Sequence, residues 1–382
     1  MAHSRACSRF LCPFLGAFLV AQVPTVLSVP NPAGNPRAAG LYAEANAFVF
    51  SDPVSLKALG ERWQGSFTPR VGEQGFLAST NYSIVYRAGA AQYALWQQQR
   101  VMMTASRDTV EFMRITKARE DLPLGRTYDL KMAAEGNRRT GLTVSHQWVL
   151  AESESFSWYL GVGGKGWYAD QAQSGLVLGR ARATGEKAYD FNLTVDYRYT
   201  KNLLYDLPVP ASRGLGAGGA LGTFLQWQSW SIEAAVEDIG ARTWWKGMPF
   251  TSADAKSKRQ HYDSNGYLQF DPTIEGIEGE KDWVQRTPMA WMVRGGWGRG
   301  PWRLASRVER FSNLLFYAWE GSFQLAEATK VGVAYEPRTR SWAFGWSGKQ
   351  ARAGVASQSL NFSRSRSIGL TLGWAWGSAA SW

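Results

Sequence analysis

Ser367-Ile368-Gly369-Leu370-Thr371-Leu372-Gly373-Trp374-Ala375-Trp376 is the stretch that decides the fold. Its even positions are bulky and apolar, namely Ile368, Leu370, Leu372, Trp374 and Trp376. Its odd positions are small or hydroxylated: Gly369, Thr371, Gly373 and Ala375. A period of two sends alternate side chains to opposite faces of a strand. A soluble sheet turns such a polar face to water and packs the apolar one on a core. A transmembrane β-barrel needs the same pattern with lipid outside and a lumen inside, and aromatics at the ends of the apolar face favour that use.

The segment resembles the C-terminal assembly signal of Gram-negative outer-membrane barrels. That pattern runs polar, any, Gly, two of any, apolar, any, apolar, and Ser367, Gly369, Leu372 and Trp374 fill it. Trp376 and the last residue, Trp382, are both candidates for the terminal aromatic. The resemblance implies an integral outer-membrane barrel, with lipid, lipopolysaccharide and the barrel-assembly machinery as partners.

The other end of the chain agrees. Arg5 and Arg9 precede an uncharged apolar run from Phe10 to Ala21. That length suits an export signal and is too short for a bilayer-spanning helix. Val26-Leu27-Ser28 is an acceptable cleavage site, so residues 1–28 are expected to be removed. Residues 29–40 are then a short periplasmic segment and 41–382 the barrel. Both cysteines, Cys7 and Cys12, lie in the signal, which leaves no thiol for a disulfide or a metal in the mature chain.

Mean hydropathy is −0.29, yet the chain holds 19 Trp and 40 Gly, as alternating strands with aromatic girdles require. Without the two Arg of the signal, the formal charge falls from +11 to +9. The basic residues are scattered, so a nucleic-acid surface is not expected. Loops facing anionic lipopolysaccharide, or a basic lumen, account for the balance.

Alternation recurs along the chain. Leu142, Val144, His146, Trp148 and Leu150 share one face, as do Trp230, Ile232, Ala234 and Val236. The expected fold is all-β, a transmembrane antiparallel up-and-down barrel of about 14–18 strands, with eighteen counted at face value. That count includes separate strands at 107–117, 125–134, 140–150, 155–166 and 174–183. Long connections at 51–75, 200–218 and 241–286 then fall on the external side, and the turn 184–187 on the periplasmic side.

Residues opposite the apolar faces should line the lumen, where charge on a membrane strand is tolerated. They are Arg87, Asp196, Arg198, Glu233, Glu237, Arg294, Arg303, Arg307, Glu309 and Glu320. They would form either a salt-bridge ladder in a closed barrel or the selectivity charges of a pore, where Arg294, Arg303 and Arg307 would favour anions. His146 sits on the apolar face with Trp148 and reads as a girdle residue, and His261 as a solvated loop residue. No cluster has metal spacing, and neither cofactor nor catalytic group is expected. Gly214-Leu215-Gly216-Ala217-Gly218-Gly219 reads as a flexible loop.

Two short resemblances remain. Glu237-Asp238-Ile239-Gly240 followed by Trp244 and Trp245 is similar to a strand end in several large outer-membrane barrel families. Asn31-Pro32-Ala33-Gly34 resembles a tetrapeptide of the fatty-acid channel family. It lies too near the expected mature start for that family's hatch and reads as a turn. The expected function is a passive pore or transporter for small solutes. The alternative is a non-conducting barrel for binding, assembly or secretion, and an outer-membrane hydrolase is the least supported.

Overall fold

The computed structural model describes residues 27, 29–34, 39–63, 65–202, 208–257, 260–262, 268–270, 274–326, 329–361 and 363–376. Apart from residue 27, the stretch 1–28 expected to be a signal lies outside these residues, as does Trp382. Strands dominate: β1 (Gly40–Ser51), β2 (Gln74–Ala88), β3 (Ala91–Ala105), β4 (Thr127–Glu152), β5 (Phe156–Gly185) and β6 (Ala188–Tyr199). There follow β7 (Gly214–Trp227), β8 (Trp230–Lys256), the small hairpin β9 (Gln260–Tyr262) and β10 (Leu268–Phe270), β11 (Ile274–Arg286) and β12 (Ala290–Arg299). The last six are β13 (Trp302–Phe311), β14 (Leu314–Ala326), β15 (Thr329–Glu336), β16 (Ser341–Ser347), β17 (Ala351–Ser357) and β18 (Ser367–Trp376). Two helices, α1 (Leu56–Gly60) and α2 (Arg107–Ala118), interrupt them. Among the described residues no helix is long and apolar enough to cross a membrane.

Every pairing in the wall is antiparallel, and β18 closes onto β1 with Trp376 opposite Leu41 and Ser367 opposite Phe50. The closed barrel has 14 strand positions. Two positions are filled by collinear pairs. β6 and β7 both lie between β5 and β8, β6 on residues 173–185 of β5 and β7 on residues 156–169. β11 and β12 likewise follow one another along β8.

Eighteen strands was therefore an overcount. Residues 107–117 form α2, which Ser106 caps by accepting from Thr109 N at 3.1 Å. The stretches 125–134 and 140–150 belong to the single strand β4, and 155–166 and 174–183 to β5. The polar runs Glu135–Arg139 and Asp170–Gln173 looked like turns but continue the wall. Arg138 pairs there with Asp170 across the β4–β5 ladder, with Nε at 2.8 Å from Oδ1.

The recount changes the loops. The turn 186–187 lies on the same rim as the connection 52–73, not on the rim that holds both barrel ends. The rim of the barrel ends carries only short turns, such as 89–90, 153–155 and 228–229. Among the described residues the opposite rim carries 52–63, 65–73, 106–126, 358–361 and 363–366. Residues 241–256 and 274–286, expected as loop, are strand. Of the expected loop 200–218, residues 214–218 belong to β7.

Outward positions are apolar and exposed, among them Ile84, Leu95, Val144, Trp148, Trp230, Ile232, Phe344 and Leu372. His146 is among them, its ring 4.7 Å from that of Trp148. Trp374 and Trp376 also face out, opposite Ala43 and Leu41 near the start of β1. Near the other rim Trp319, Tyr335 and Trp342 form an aromatic row on adjacent strands, with centroids 6.3 and 4.9 Å apart. Above the apolar zone the outward face is roofed. α1 and Trp63 cover Phe76 and Met103, and α2 covers Tyr128, Leu130 and Ala181 through Phe112 and Ile115.

Candidate functional site: the barrel lumen

The lumen is filled from three directions. The first filling is the chain's own N-terminal segment. Residues 29–34, expected below the barrel, lie inside it, with Ala33 fully buried. Asn31 Nδ2 donates to Thr223 O at 3.1 Å and to Glu233 Oε1 at 3.0 Å. Gln147 Nε2 donates to Ala33 O at 2.7 Å, and Arg87 Nη1 to Gly34 O at 3.1 Å. In the chain as it stands, Leu27 N also donates to Glu309 Oε2 at 3.0 Å.

The seat for this segment is made of glycine. A Cβ at Gly161 would sit 2.3 Å from Pro32 C, and one at Gly222 would sit 1.9 Å from Asn31 Oδ1. No other residue fits so close an approach. The Gly-rich stretch 214–219 is thus not a flexible loop. On β7, Gly214, Gly216 and Gly218 face the lumen, and the indole of Trp167 lies over Gly216 where a Cβ would meet it at 2.2 Å.

The second filling is a buried charge cluster. Arg139 and Asp238 are both 0% exposed, and their Nη2 and Oδ2 lie 2.9 Å apart. Lys165 Nζ reaches Asp238 at 2.9 Å and Glu237 at 3.2 Å, and Arg100 reaches Glu237 at 3.2 Å. Gln98 accepts from Arg139, whose guanidinium lies 4.8 Å from the Trp167 ring centroid. Two adjacent acids can both face inward only if the strand breaks its alternation. A bulge does this: Asp238 has φ +60° and Gly240 φ +62°, and the β7–β8 register shifts there. The tetrapeptide 237–240 is therefore a mid-strand bulge, not a strand end, and β8 runs on to Lys256.

The third filling is apolar. Phe48, Phe50, Leu77, Met102, Met292, Phe311, Leu314 and Phe316 form one buried cluster that takes in Leu27 and Val29. Phe50 and Phe316 meet edge to face at 5.6 Å.

Most of the expected lumen residues join this interior. Arg294 bonds Glu320 at 2.8 Å, and Arg307 reaches Glu320 at 3.2 Å and Glu309 at 3.5 Å, which makes a ladder across β12, β13 and β14. Glu233, Glu309 and Arg87 hold the N-terminal segment, and Glu237 sits in the charge cluster. Asp196 and Arg198 pair with each other at 3.2 Å on β6, with Arg198 over the Trp283 ring. Arg303 lies at the turn end of β13, opposite Gly298 and Ser322, and stays outside the ladder. Glu309 and Glu320 thus offset the positive bias expected from Arg294 and Arg307.

Arg100, Arg139, Lys165 and Asp238 escaped the sequence reading. Arg100 ends the run Gln97-Gln98-Gln99-Arg100, where polar residues on both faces erase the alternation. Arg139 lay in a presumed turn, and Asp238 is turned inward only by the bulge. Among the described residues no group of His, Cys, Asp and Glu could hold a metal.

No family model and no curated protein matches the chain. Among solved structures, the TodX deltaS2S3 mutant monoaromatic hydrocarbon channel aligns with 9% identity and a TM-score of 0.45, over 93% of this chain and 96% of that one. The toluene transporter TodX of P. putida gives 9% identity and a TM-score of 0.42, over 93% and 99%. OccAB2 of Acinetobacter baumannii gives 8% and 0.18, over 90% and 99%.

Proposed function

We propose that this chain is an outer-membrane channel for passive transport of small solutes, closed at rest by its own N-terminal segment. One observation carries the reading: residues 29–34 sit on glycines inside the barrel and are held by hydrogen bonds. Such contacts each contribute about 1 kcal/mol net, so the segment can leave without unfolding the wall. The export-signal pattern read from residues 5–28, the aromatic belts and the apolar outward face support the membrane location. The apolar cluster around Phe50 and Phe316 supports small apolar solutes over ions. The charge ladder, with its own acids, gives little reason for ion selectivity.

The test uses the mature chain refolded into planar bilayers. The intact barrel should be nearly silent, and deletion of 29–34 should open it. A deletion variant that migrates as a folded, heat-modifiable barrel yet stays silent and fails to admit small solutes into liposomes would end this reading.

A further inference from the structure

We infer that Arg340, Arg364 and Arg366, on the rim opposite the barrel ends, form a docking site for the phosphates of an anionic glycolipid in the outer leaflet. The inference rests on the outer-membrane reading. On this side the strands are short, and β16 has only seven residues. Arg340 lies two residues beyond the exposed, outward Trp342, which belongs to the aromatic row with Tyr335 and Trp319. Aromatic rows mark the headgroup level of a bilayer, so charge just beyond them meets lipid phosphate.

The electrostatics point the same way. Arg366 is fixed by hydrogen bonds from Nη1 to Asp52 O at 2.9 Å and from Nη2 to Thr68 Oγ1. Ser341 and Ser367, each one residue after an arginine, hydrogen-bond through their hydroxyls, which brings the backbone at Arg340 and Arg366 together. Burial and then the like charge of Arg340 lower the Arg366 guanidinium from the ordinary value, while Asp52 acts the other way. The acids nearby are already engaged. Asp52 Oδ2 accepts from Arg338 at 2.8 Å and from Gly75 N at 2.8 Å. Glu336 accepts from the backbone of Arg338 and Thr339 at 3.0 and 2.6 Å.

Arg340 and Arg364 are exposed, and among the described residues neither makes an ion pair. Three guanidiniums on one rim, with the neighbouring acids Asp52 and Glu336 already bonded to other groups, suit phosphate, which accepts several N–H donors at once. Leu360, on the same connection as Arg364 and Arg366, is 96% exposed, so this rim also presents an apolar side chain. Charge complementarity together with continuity with the lipid-facing belt selects a lipid over a soluble anion.

The experiment measures retention of diphosphoryl lipid A by the full chain folded in neutral detergent, using native mass spectrometry. Dephosphorylated lipid A and competing inorganic phosphate are the controls. The wild type should keep the diphosphoryl form selectively, and inorganic phosphate should not displace it. Arg340→Gln with Arg364→Gln should weaken retention roughly tenfold, as loss of two charge-assisted contacts implies. Arg366 is left intact because it holds the loop 52–73. Equal retention by the double variant, equal retention of the dephosphorylated lipid, or displacement by inorganic phosphate would each overturn the inference. A chain that stays soluble without detergent would overturn the outer-membrane reading as well. A heat-modifiable barrel without phosphate preference would overturn only this one.

Discussion

The two sides of the barrel are built differently. From β4 to β11 the wall is tall, with strands of up to 30 residues, a polar waist and buried charge inside. From β13 to β18 it is short, with strands of 7 to 13 residues that mostly alternate, apart from the irregularity near Gln324 and the small-residue strand β17. The short side needs only an apolar outward face and a lumen face. The tall side must also carry a polar outward face above the lipid, the bulge at Asp238, the glycine seat and the roof made by α2. A strand with one environment on each face announces itself by period. A strand that passes through three environments does not.

The largest expected effect separates the sides by the cost of unpairing. Asp238→Ala should leave Arg139 and Lys165 buried beside one acid, and removing a partner from a buried ion pair costs about 3–5 kcal/mol. Denaturant unfolding of the refolded barrel should show that loss. Glu320→Ala, on the short side, should cost less because Arg294 is 46% exposed and can turn to water, while Arg307 keeps Glu309 at 3.5 Å. Equal losses would mean that the charge cluster is no more demanding than the ladder.

Packing comes next. Phe316→Ala empties a fully buried ring site and should cost about 3–5 kcal/mol, whereas Phe344→Ala on the outward face should leave soluble-denaturant stability nearly unchanged. A smaller thermodynamic effect with a larger functional one is expected at the seat. Gly222→Val should expel residues 29–34 and raise conductance while the barrel remains folded. Gly345→Val, whose Cβ would meet its nearest neighbour only at 4.0 Å, should not. A closed Gly222→Val channel would show that the segment does not depend on its glycines. The topological comparison is the gentlest. A tag at 186–187 should be labelled on intact cells and one at 228–229 only after lysis. The reverse pattern would invert the barrel.

The sequence made the short side legible almost residue by residue. Its alternation placed Trp374, Trp376, Phe344 and Trp342 outward, and Arg294, Arg307, Glu309 and Glu320 inward. It also implied β-barrel architecture and long loops on one rim. On the tall side it failed where hydropathy carries no period. Glu135–Arg139 was read as a turn because each of its residues is polar or Gly. α2 was read as a strand because its one covered face is partly apolar. Three such errors moved the turn 186–187 to the wrong rim.

Alternation and composition are local or additive properties, so the chain alone determines that it becomes a barrel and which faces turn outward. The number of wall positions, the inward turn of Asp238 and the place of Asn31-Pro32-Ala33-Gly34 depend on residues far apart in the chain, 99 positions for Asp238 and Arg139 and 114 for Ala33 and Gln147. Gln147 and Gly222 mean nothing to that tetrapeptide until closure of the barrel brings them beside it. Glycine is silent in a hydropathy profile, and only the folded wall shows that its missing side chain is the space a plug occupies.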